Sequence, residues 1–63
     1  MEWYRTGTYT MDSDPPGYRI TKFVDDEGLS WYDLFHRGKP VKQWYDYQTL
    51  MEQAERHAGK IPP

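Results

Sequence analysis

The 63-residue sequence contains no cysteine, so disulfide bonds and thiolate metal sites are both excluded. It has no apolar run close to the roughly 20 residues that a membrane-spanning helix needs. Its N-terminal segment, MEWYRTGTYT, has neither the basic start nor the apolar stretch of a secretory signal. We therefore expect no membrane association, a cytoplasmic location and a fold that is held together by packing alone.

The usual core residues are scarce as well. Leu, Ile, Val and Phe together make up nine of the 63 residues, which is below the roughly 20% at which disorder is usually expected. Disorder also requires a high net charge and few aromatic residues. Here the net charge is only -2 and 17% of the residues are aromatic. The composition therefore predicts a single folded domain over residues 1–63 with an aromatic core.

Four segments rich in Thr, Tyr, Trp and other β-favouring residues predict four strands. The stretches between them carry paired prolines, glycines and aspartates, which favour turns. Because these turns are only about four to six residues long, neighbouring strands should pair antiparallel. The predicted strands are residues 2–11, 18–24, 30–36 and 41–45.

The hydrophobic period changes after Tyr47. Small and apolar residues then recur at helical spacing, which predicts an amphipathic helix over residues 50–58. Thr49 and Glu52 fit a capping box at its start, and a glycine followed by prolines predicts a tail over residues 59–63. The predicted fold class is α+β, with a three- to four-stranded antiparallel meander and one C-terminal helix packed on one face.

Motifs of catalysis or metal binding are missing from the sequence. The two histidines, His36 and His57, have no cysteine partners and no HxH or HExxH spacing. Ser13 and Ser30 lack the GxSxG context of a nucleophile. The paired carboxylates fall in predicted turns, where solvated or turn-forming aspartates are common. We therefore expect no enzymatic activity, no metal and no cofactor.

Alternation along the predicted strands divides the side chains between two faces of the sheet. The face expected to meet the helix carries Tyr18, Ile20, Val24, Tyr32, Leu34 and Val41. The other face is expected to stay open, unless the N-terminal segment or a second copy covers it. Large rings beside arginines are typical of binding hot spots. The residues predicted on this open face are Arg19, Phe23, Trp31, Asp33, Phe35, Arg37, Lys42 and Trp44.

The turn formed by Asp25, Asp26 and Glu27 is acidic, so it can pair with basic residues of a nucleic-acid enzyme. A solvated turn is the alternative interpretation. Combining the turn with the aromatic face gives one predicted site for a protein partner. Its residues are Arg19, Phe23, Asp25, Asp26, Glu27, Trp31, Asp33, Phe35 and Trp44.

Two other functions fit the same residues. Aromatic rings interleaved with Arg19, Arg37 and Lys42 can stack single-stranded bases, which makes a small nucleic-acid-binding module one alternative. The segment Thr49–Ala54 after a sheet is also similar to the end of a double-stranded RNA-binding domain, but the lysines which that family places there are missing. A pI near 5.5 opposes phosphate binding. The other alternative is a homodimeric structural domain.

A general pattern extends over most of the chain. It consists of Gly17-Tyr18-Arg19-Ile20, Trp31-Tyr32-Asp33-Leu34, Gly38, and Thr49-Leu50 continuing through Ala54 to Ala58. This pattern resembles small sheet-plus-helix accessory proteins of phages and mobile elements, including anti-CRISPR and other anti-defence inhibitors. The resemblance implies a stoichiometric inhibitor of a host nucleic-acid-processing complex, acting in the host cytoplasm if phage-encoded. It carries over no functional residue.

Overall fold

The computed structural model describes residues 1–60 of the chain. Its elements are β1 (Glu2–Gly7), β2 (Thr10–Asp14), β3 (Tyr18–Val24), β4 (Ser30–His36), β5 (Lys39–Trp44) and α1 (Tyr47–Lys60). The strands form one antiparallel sheet in the order β1-β2-β3-β4-β5, so each strand pairs with its neighbour in the sequence. The predicted α+β meander with one C-terminal helix is confirmed, with five strands rather than three or four.

The segment predicted as one strand over residues 2–11 is in fact two strands. β1 and β2 pair from Glu2 opposite Asp14 to Gly7 opposite Thr10. A Cβ atom at Gly7 would lie 2.7 Å from the Thr10 hydroxyl oxygen, so glycine permits this close approach beside the turn. Because residues on both sides of the turn favour strands equally, β-propensity does not reveal the reversal.

A buried serine shapes the connection from β2 to β3. The Ser13 hydroxyl donates to the Pro15 carbonyl oxygen at 2.8 Å and accepts from the Tyr18 backbone N–H at 3.1 Å. The Ser13 side chain is completely buried, so these bonds satisfy a hydroxyl that water cannot reach. The Ser13 side chain therefore holds the turn in place. The strand β2 itself includes Ser13 and ends at Asp14, three residues later than the predicted end at residue 11.

The connection from β4 to β5 has only two residues. Arg37 and Gly38 have φ angles of 51° and 83°, the left-handed values that a tight primed hairpin turn requires at both central positions. The expected turn over residues 37–40 is therefore shorter, and β5 begins at Lys39.

The helix begins earlier and ends later than residues 50–58. Asp46 caps it, because its carboxylate Oδ1 accepts from the Gln48 backbone N–H at 2.9 Å. Thr49 lies within α1, so the predicted capping box is wrong. Gly59 is also helical. Residues 61–63 of the predicted tail lie outside the described part of the chain.

The core lies between α1 and one side of the sheet. Its buried residues are Tyr18, Ile20, Leu34, Leu50 and Ala54. The small Ala54 side chain, fully buried, lets the helix lie close to the strands. Two residues predicted for this side stay outside the core, since Val24 is 52% exposed and Val41 is 37% exposed.

The helix covers only part of the sheet. Within residues 1–60 its backbone approaches β3, β4 and β5, while β1 and β2 reach the core through Trp3 and Met11. The resulting shape is elongated, with extents of 42 × 19 × 19 Å. α1, the helix in residues 1–60, has neither the length nor the apolar character needed to cross a membrane.

Candidate binding face

Strand register assigns each side chain to one side of the sheet, because directly opposed residues point the same way. Ile20 and Leu34 are opposed and belong to the core, so they define the helix side. In residues 1–60, no element packs on the other side, which we call the open face. Its side chains are Glu2, Tyr4, Thr10, Asp12, Asp14, Arg19, Thr21, Phe23, Trp31, Asp33, Phe35, Pro40, Val41 and Gln43.

Aromatic rings lie along two neighbouring strands of the open face. Phe23 and Trp31 are opposed across β3 and β4, and their rings stack with centroids 6.0 Å apart and planes 16° from parallel. Phe35 lies further along β4 on the same side. Trp31 and Phe35 are half-buried and Phe23 is exposed, so part of each ring is available to a ligand. The structure thus brings together three predicted site residues.

Arg19 is also on this face, but its charge is paired with the carboxylate of Asp12. Its guanidinium donates to both carboxylate oxygens of Asp12, at 2.7 and 3.2 Å. These hydrogen bonds lower the pKa of Asp12 from its ordinary value and raise the pKa of Arg19. The predicted site residue Arg19 therefore belongs to an ion pair within the sheet.

Asp33 is a carboxylate near the centre of the open face, and its environment differs from that of Asp12. Thr21 and Gln43 oppose it across the neighbouring strands, and Trp31 and Phe35 flank it along β4. Its Oδ1 atom is buried and has no hydrogen-bond partner among the described residues. The residue as a whole is half-buried, so part of it is exposed although Oδ1 itself is closed to solvent.

A β-bulge changes the expected sides of β5. Phe35 opposes Pro40 while Leu34 opposes Lys42, so Val41 is an extra residue in β5. The bulge places Val41 on the open face, where it lines a shallow cavity of about 320 Å³ together with Asp33. This reverses the prediction, which put Val41 on the helix side because it is apolar.

Because of the same bulge, Lys42 and Trp44, which were predicted on the open face, lie on the helix side. They oppose Leu34 and Tyr32, so the register places them on the helix side. The Lys42 Nζ atom lies 5.3 Å from the Trp44 ring centroid. Trp44 nevertheless borders a groove of about 440 Å³ at the sheet edge, which is also lined by Trp31. Trp44 is therefore a rim residue of the predicted site.

The predicted acidic turn joins β3 to β4 at the end of the open face where Phe23 and Trp31 lie. Asp25 Oδ1 accepts from the backbone N–H groups of Glu27 and Leu29, each at 2.9 Å. Its carboxylate therefore shapes the turn. Asp26 and Glu27 are exposed, so their charges extend the face at this end.

Some residues of the open face were missed by sequence reasoning. Tyr4 is 52% exposed and, with Asp12, Arg19 and Phe35, borders a shallow concavity of about 480 Å³. Recognising Tyr4 required the boundary between β1 and β2, which the composition hides. Thr21 was not missed in this way, because alternation along the strand already groups it with Arg19 and Phe23, and the register agrees.

Both histidines pack on the helix side. The Tyr18 hydroxyl oxygen lies 2.6 Å from His57 Nδ1, and the Tyr18 ring stacks on His36 with centroids 4.5 Å apart. Burial lowers the pKa of His36, and the nearby His57 and Arg37 charges lower it further. Burial also raises the pKa of Tyr18. The cluster attaches the helix to the sheet.

Residues 1–60 contain no group of three or more side chains arranged to hold a metal ion. No protein-family model matches the chain, and no curated protein or solved structure is significantly similar to it.

Proposed function

We propose that this chain is a non-enzymatic protein-binding domain that docks on its partner through the open face. The observation that carries the proposal is a sheet with one side left uncovered across residues 1–60 while bearing the stacked Phe23–Trp31 pair. As the resemblance to phage accessory proteins implies, the partner would be a host nucleic-acid-processing complex, inhibited by stoichiometric binding in the host cytoplasm.

The aromatic rings supply the apolar part of such an interface. Trp and Phe bury a large area with few rotatable bonds, so ordering them on binding costs little entropy. Trp31 and Phe35 are already half-buried in the free protein, which holds their rings close to one arrangement. A partner that covers these rings gains apolar burial without having to order them first.

The charges on the same face favour a protein over a nucleic acid. The nucleic-acid alternative placed three cations, Arg19, Arg37 and Lys42, beside the rings. Arg19 is paired with Asp12, and Lys42 lies on the helix side. Of the three, Arg37 alone remains, exposed in the turn between β4 and β5 at the concavity beside Phe35. Asp33 adds a carboxylate among the rings, where it would repel phosphate groups. The exposed acids of the turn add further negative charge at one end.

In-cell photocrosslinking tests the docking face. The photoreactive residue p-benzoylphenylalanine would replace Phe35 on the open face or, as a control, Tyr47 on the helix. The Phe35 variant should give one discrete crosslinked protein, and the Tyr47 variant should not. The protein captured would then be purified and titrated with the wild-type chain. Trp31→Ala should weaken this binding at least about tenfold, as expected for a hot-spot anchor.

Folding of the Trp31→Ala variant must be verified by its thermal midpoint, so that a loss of binding reports on the interface. Crosslinking that is equally efficient from both positions would contradict the docking face. Unchanged affinity of the folded Trp31→Ala variant would contradict it as well.

The inhibitory role needs its own assay. The chain would be expressed in bacterial strains that each carry a defined CRISPR or other nuclease defence, and plaques of a targeted phage would be counted. Wild-type protein should raise the plaque count in at least one strain, and Trp31→Asp should not. If the plaque counts stay low in every strain, the inhibitor assignment is contradicted, whereas the docking face is judged by the crosslinking result.

Light scattering separates this proposal from the homodimer alternative. We expect a monomer, since the open face is reserved for a different protein. A stable dimer that Trp31→Asp dissociates would show that the face is used between copies of the chain, and would overturn the proposal.

A further inference from the structure

We infer that Asp33 is the recognition point for an arginine side chain of the partner. This inference rests on the proposed function, because it names the chemistry with which the open face selects the protein that docks on it. Two carboxylates on the same face of the sheet, Asp12 and Asp33, differ in a way that points to this role.

Asp12 and Asp33 differ in how their charges are compensated. Asp12 receives two hydrogen bonds from the Arg19 guanidinium. Asp33 has a buried carboxylate oxygen with no partner among residues 1–60. A buried acceptor without a hydrogen bond is costly, and more so when it carries charge. A cation docked beside Asp33 would offset the charge of this carboxylate, as Arg19 offsets that of Asp12.

The chain's own nearby cations are committed elsewhere. Arg19 is held by Asp12. Lys42 and Lys22 are both on the helix side by register, and their Nζ atoms lie over the rings of Trp44 and Tyr32 at 5.3 and 6.0 Å. Lys42 also lines the cavity beside Asp33, but within residues 1–60 it forms no ion pair with that carboxylate. The carboxylate of Asp33 is therefore left for a cation that arrives from outside.

The surroundings of Asp33 favour arginine over lysine. Trp31 and Phe35 are two residues away on either side of it in β4, at a spacing of about 7 Å along one face of the sheet. A guanidinium group is planar and weakly hydrated, so it can lie against an aromatic ring while it donates to a carboxylate. A lysine ammonium is more strongly hydrated and has no plane to stack. Rings that flank an uncompensated carboxylate therefore match the guanidinium group.

The charges of the open face also argue against two other ligands, a second copy of the chain and a nucleic acid. Two copies of the chain docked by their open faces would bring together surfaces that each carry four carboxylates, those of Glu2, Asp12, Asp14 and Asp33, and one guanidinium, which is already paired. A nucleic acid would bring phosphates to Asp33. A protein with a basic contact surface is the occupant whose charge is complementary.

Short peptides test the inference without the natural partner. The ¹⁵N-labelled chain would be titrated with acetyl-Gly-Arg-Gly-amide, and separately with the same peptide carrying citrulline or lysine in place of arginine. Citrulline keeps the shape of arginine but lacks its charge. The arginine peptide should shift the amide signals of β4 and the Trp31 indole N–H signal, with a Kd at least about tenfold lower than that of the citrulline peptide.

Two variants locate the effect. Asp33→Asn should remove the discrimination between arginine and citrulline. Glu52→Gln, the matched loss of one acidic charge at an exposed position of α1 away from the open face, should preserve it. The inference is overturned if wild-type protein binds the peptides equally, if Asp33→Asn still discriminates, or if the lysine peptide binds as tightly as the arginine peptide. An oligothymidylate that shifts the same signals would also overturn it.

These outcomes are distinct from those of the crosslinking experiment. A partner captured at Phe35 that binds Asp33→Asn as tightly as wild type overturns the arginine site and leaves the docking face standing. Arginine-specific peptide shifts without any crosslinked protein would support the site and contradict the docking face.

Discussion

The two sides of this sheet are built from the same strands but differ in how completely their groups are satisfied. On the helix side, Leu34 is fully buried and the Ser13 hydroxyl is hydrogen-bonded on both of its sides. On the open side, rings remain partly exposed and Asp33 has a buried oxygen without a partner. The helix side therefore provides most of the stability, and the open side keeps unsatisfied groups that a partner can use.

The sharpest test compares Leu34 and Phe35, which are adjacent in β4 and point to opposite sides. Leu34→Ala should lower the free energy of unfolding by about 2–5 kcal/mol, because it leaves a cavity in the core. Phe35→Ala should cost only about 1–2 kcal/mol, since its half-buried ring leaves no enclosed cavity. Urea denaturation followed by tryptophan fluorescence measures both. Equal losses would break the distinction between the two sides.

A substitution on the open side should raise the free energy of unfolding, whereas Leu34→Ala and Phe35→Ala lower it. Asp33→Thr removes the carboxylate with the unpartnered oxygen and introduces a residue that favours strands. It should therefore raise the free energy of unfolding by about 1–2 kcal/mol. Asp12→Thr is the matched control on the same face, and it should lower stability by about 0.2–1 kcal/mol through loss of the exposed pair with Arg19. Chemical denaturation of the two variants tests this prediction. If both substitutions lower stability, the Asp33 carboxylate already has a hydrogen-bond partner in solution.

The third prediction concerns the N-terminal cap of α1, which contributes to the stability of the helix side. Asp46→Ala should cost about 1 kcal/mol, since it removes the oxygen that accepts from the Gln48 N–H. Thr49→Ala should change stability by less than about 0.5 kcal/mol, because Thr49 does not cap the helix. Thermal midpoints of both variants test this. A larger loss of stability in Thr49→Ala than in Asp46→Ala would identify Thr49 as the capping residue.

Acid should weaken the two sides in different pH ranges. The pKa of His36 is lowered in the folded protein, so the unfolded chain binds the proton more readily. The stabilisation from neutral His36 is thus complete above the ordinary value of 6.5 and is lost as the pH falls through the lower folded-state pKa. Asp12 on the open face also has a lowered pKa, and its stabilisation is lost only below about its ordinary value of 3.8.

We expect a small fall in thermal midpoint between about pH 7 and pH 5, the range in which histidine titrates. The fall should be smaller in His36→Gln. Midpoints with the same pH slope in both proteins would assign the acid sensitivity to another group.

Much of the fold could be predicted from alternation and turn residues. β3 and β4 span the same residues as two of the predicted strands, because polar and apolar side chains alternate clearly there and the flanking turns contain glycine. The turn between β1 and β2 was missed, since Thr and Tyr on both sides of it favour strands equally. The cap at Asp46 was missed because Thr49 and Glu52 offered a second capping pattern nearby.

The candidate site could be predicted only in part. Parity placed Phe23, Trp31 and Phe35 on one side, since each lies in a regular strand. The side of Val41 depends on a bulge, which requires the register between two strands. The different environments of Asp12 and Asp33 likewise depend on which residues lie opposite each other in three-dimensional space. Local sequence does not contain that information.

The order of the strands in the sheet also determines how the chain can fold. Each strand pairs with the one made just before it, so the contacts are largely local in sequence and folding on a timescale of milliseconds or faster is expected. The hairpins can form in sequence order, but the helix that covers the core is made last. At about 5–20 residues per second, synthesis of its 14 residues takes roughly one to three seconds. A sheet that forms before this helix docks leaves Ile20 and Leu34, at the centre of the helix side, without their cover.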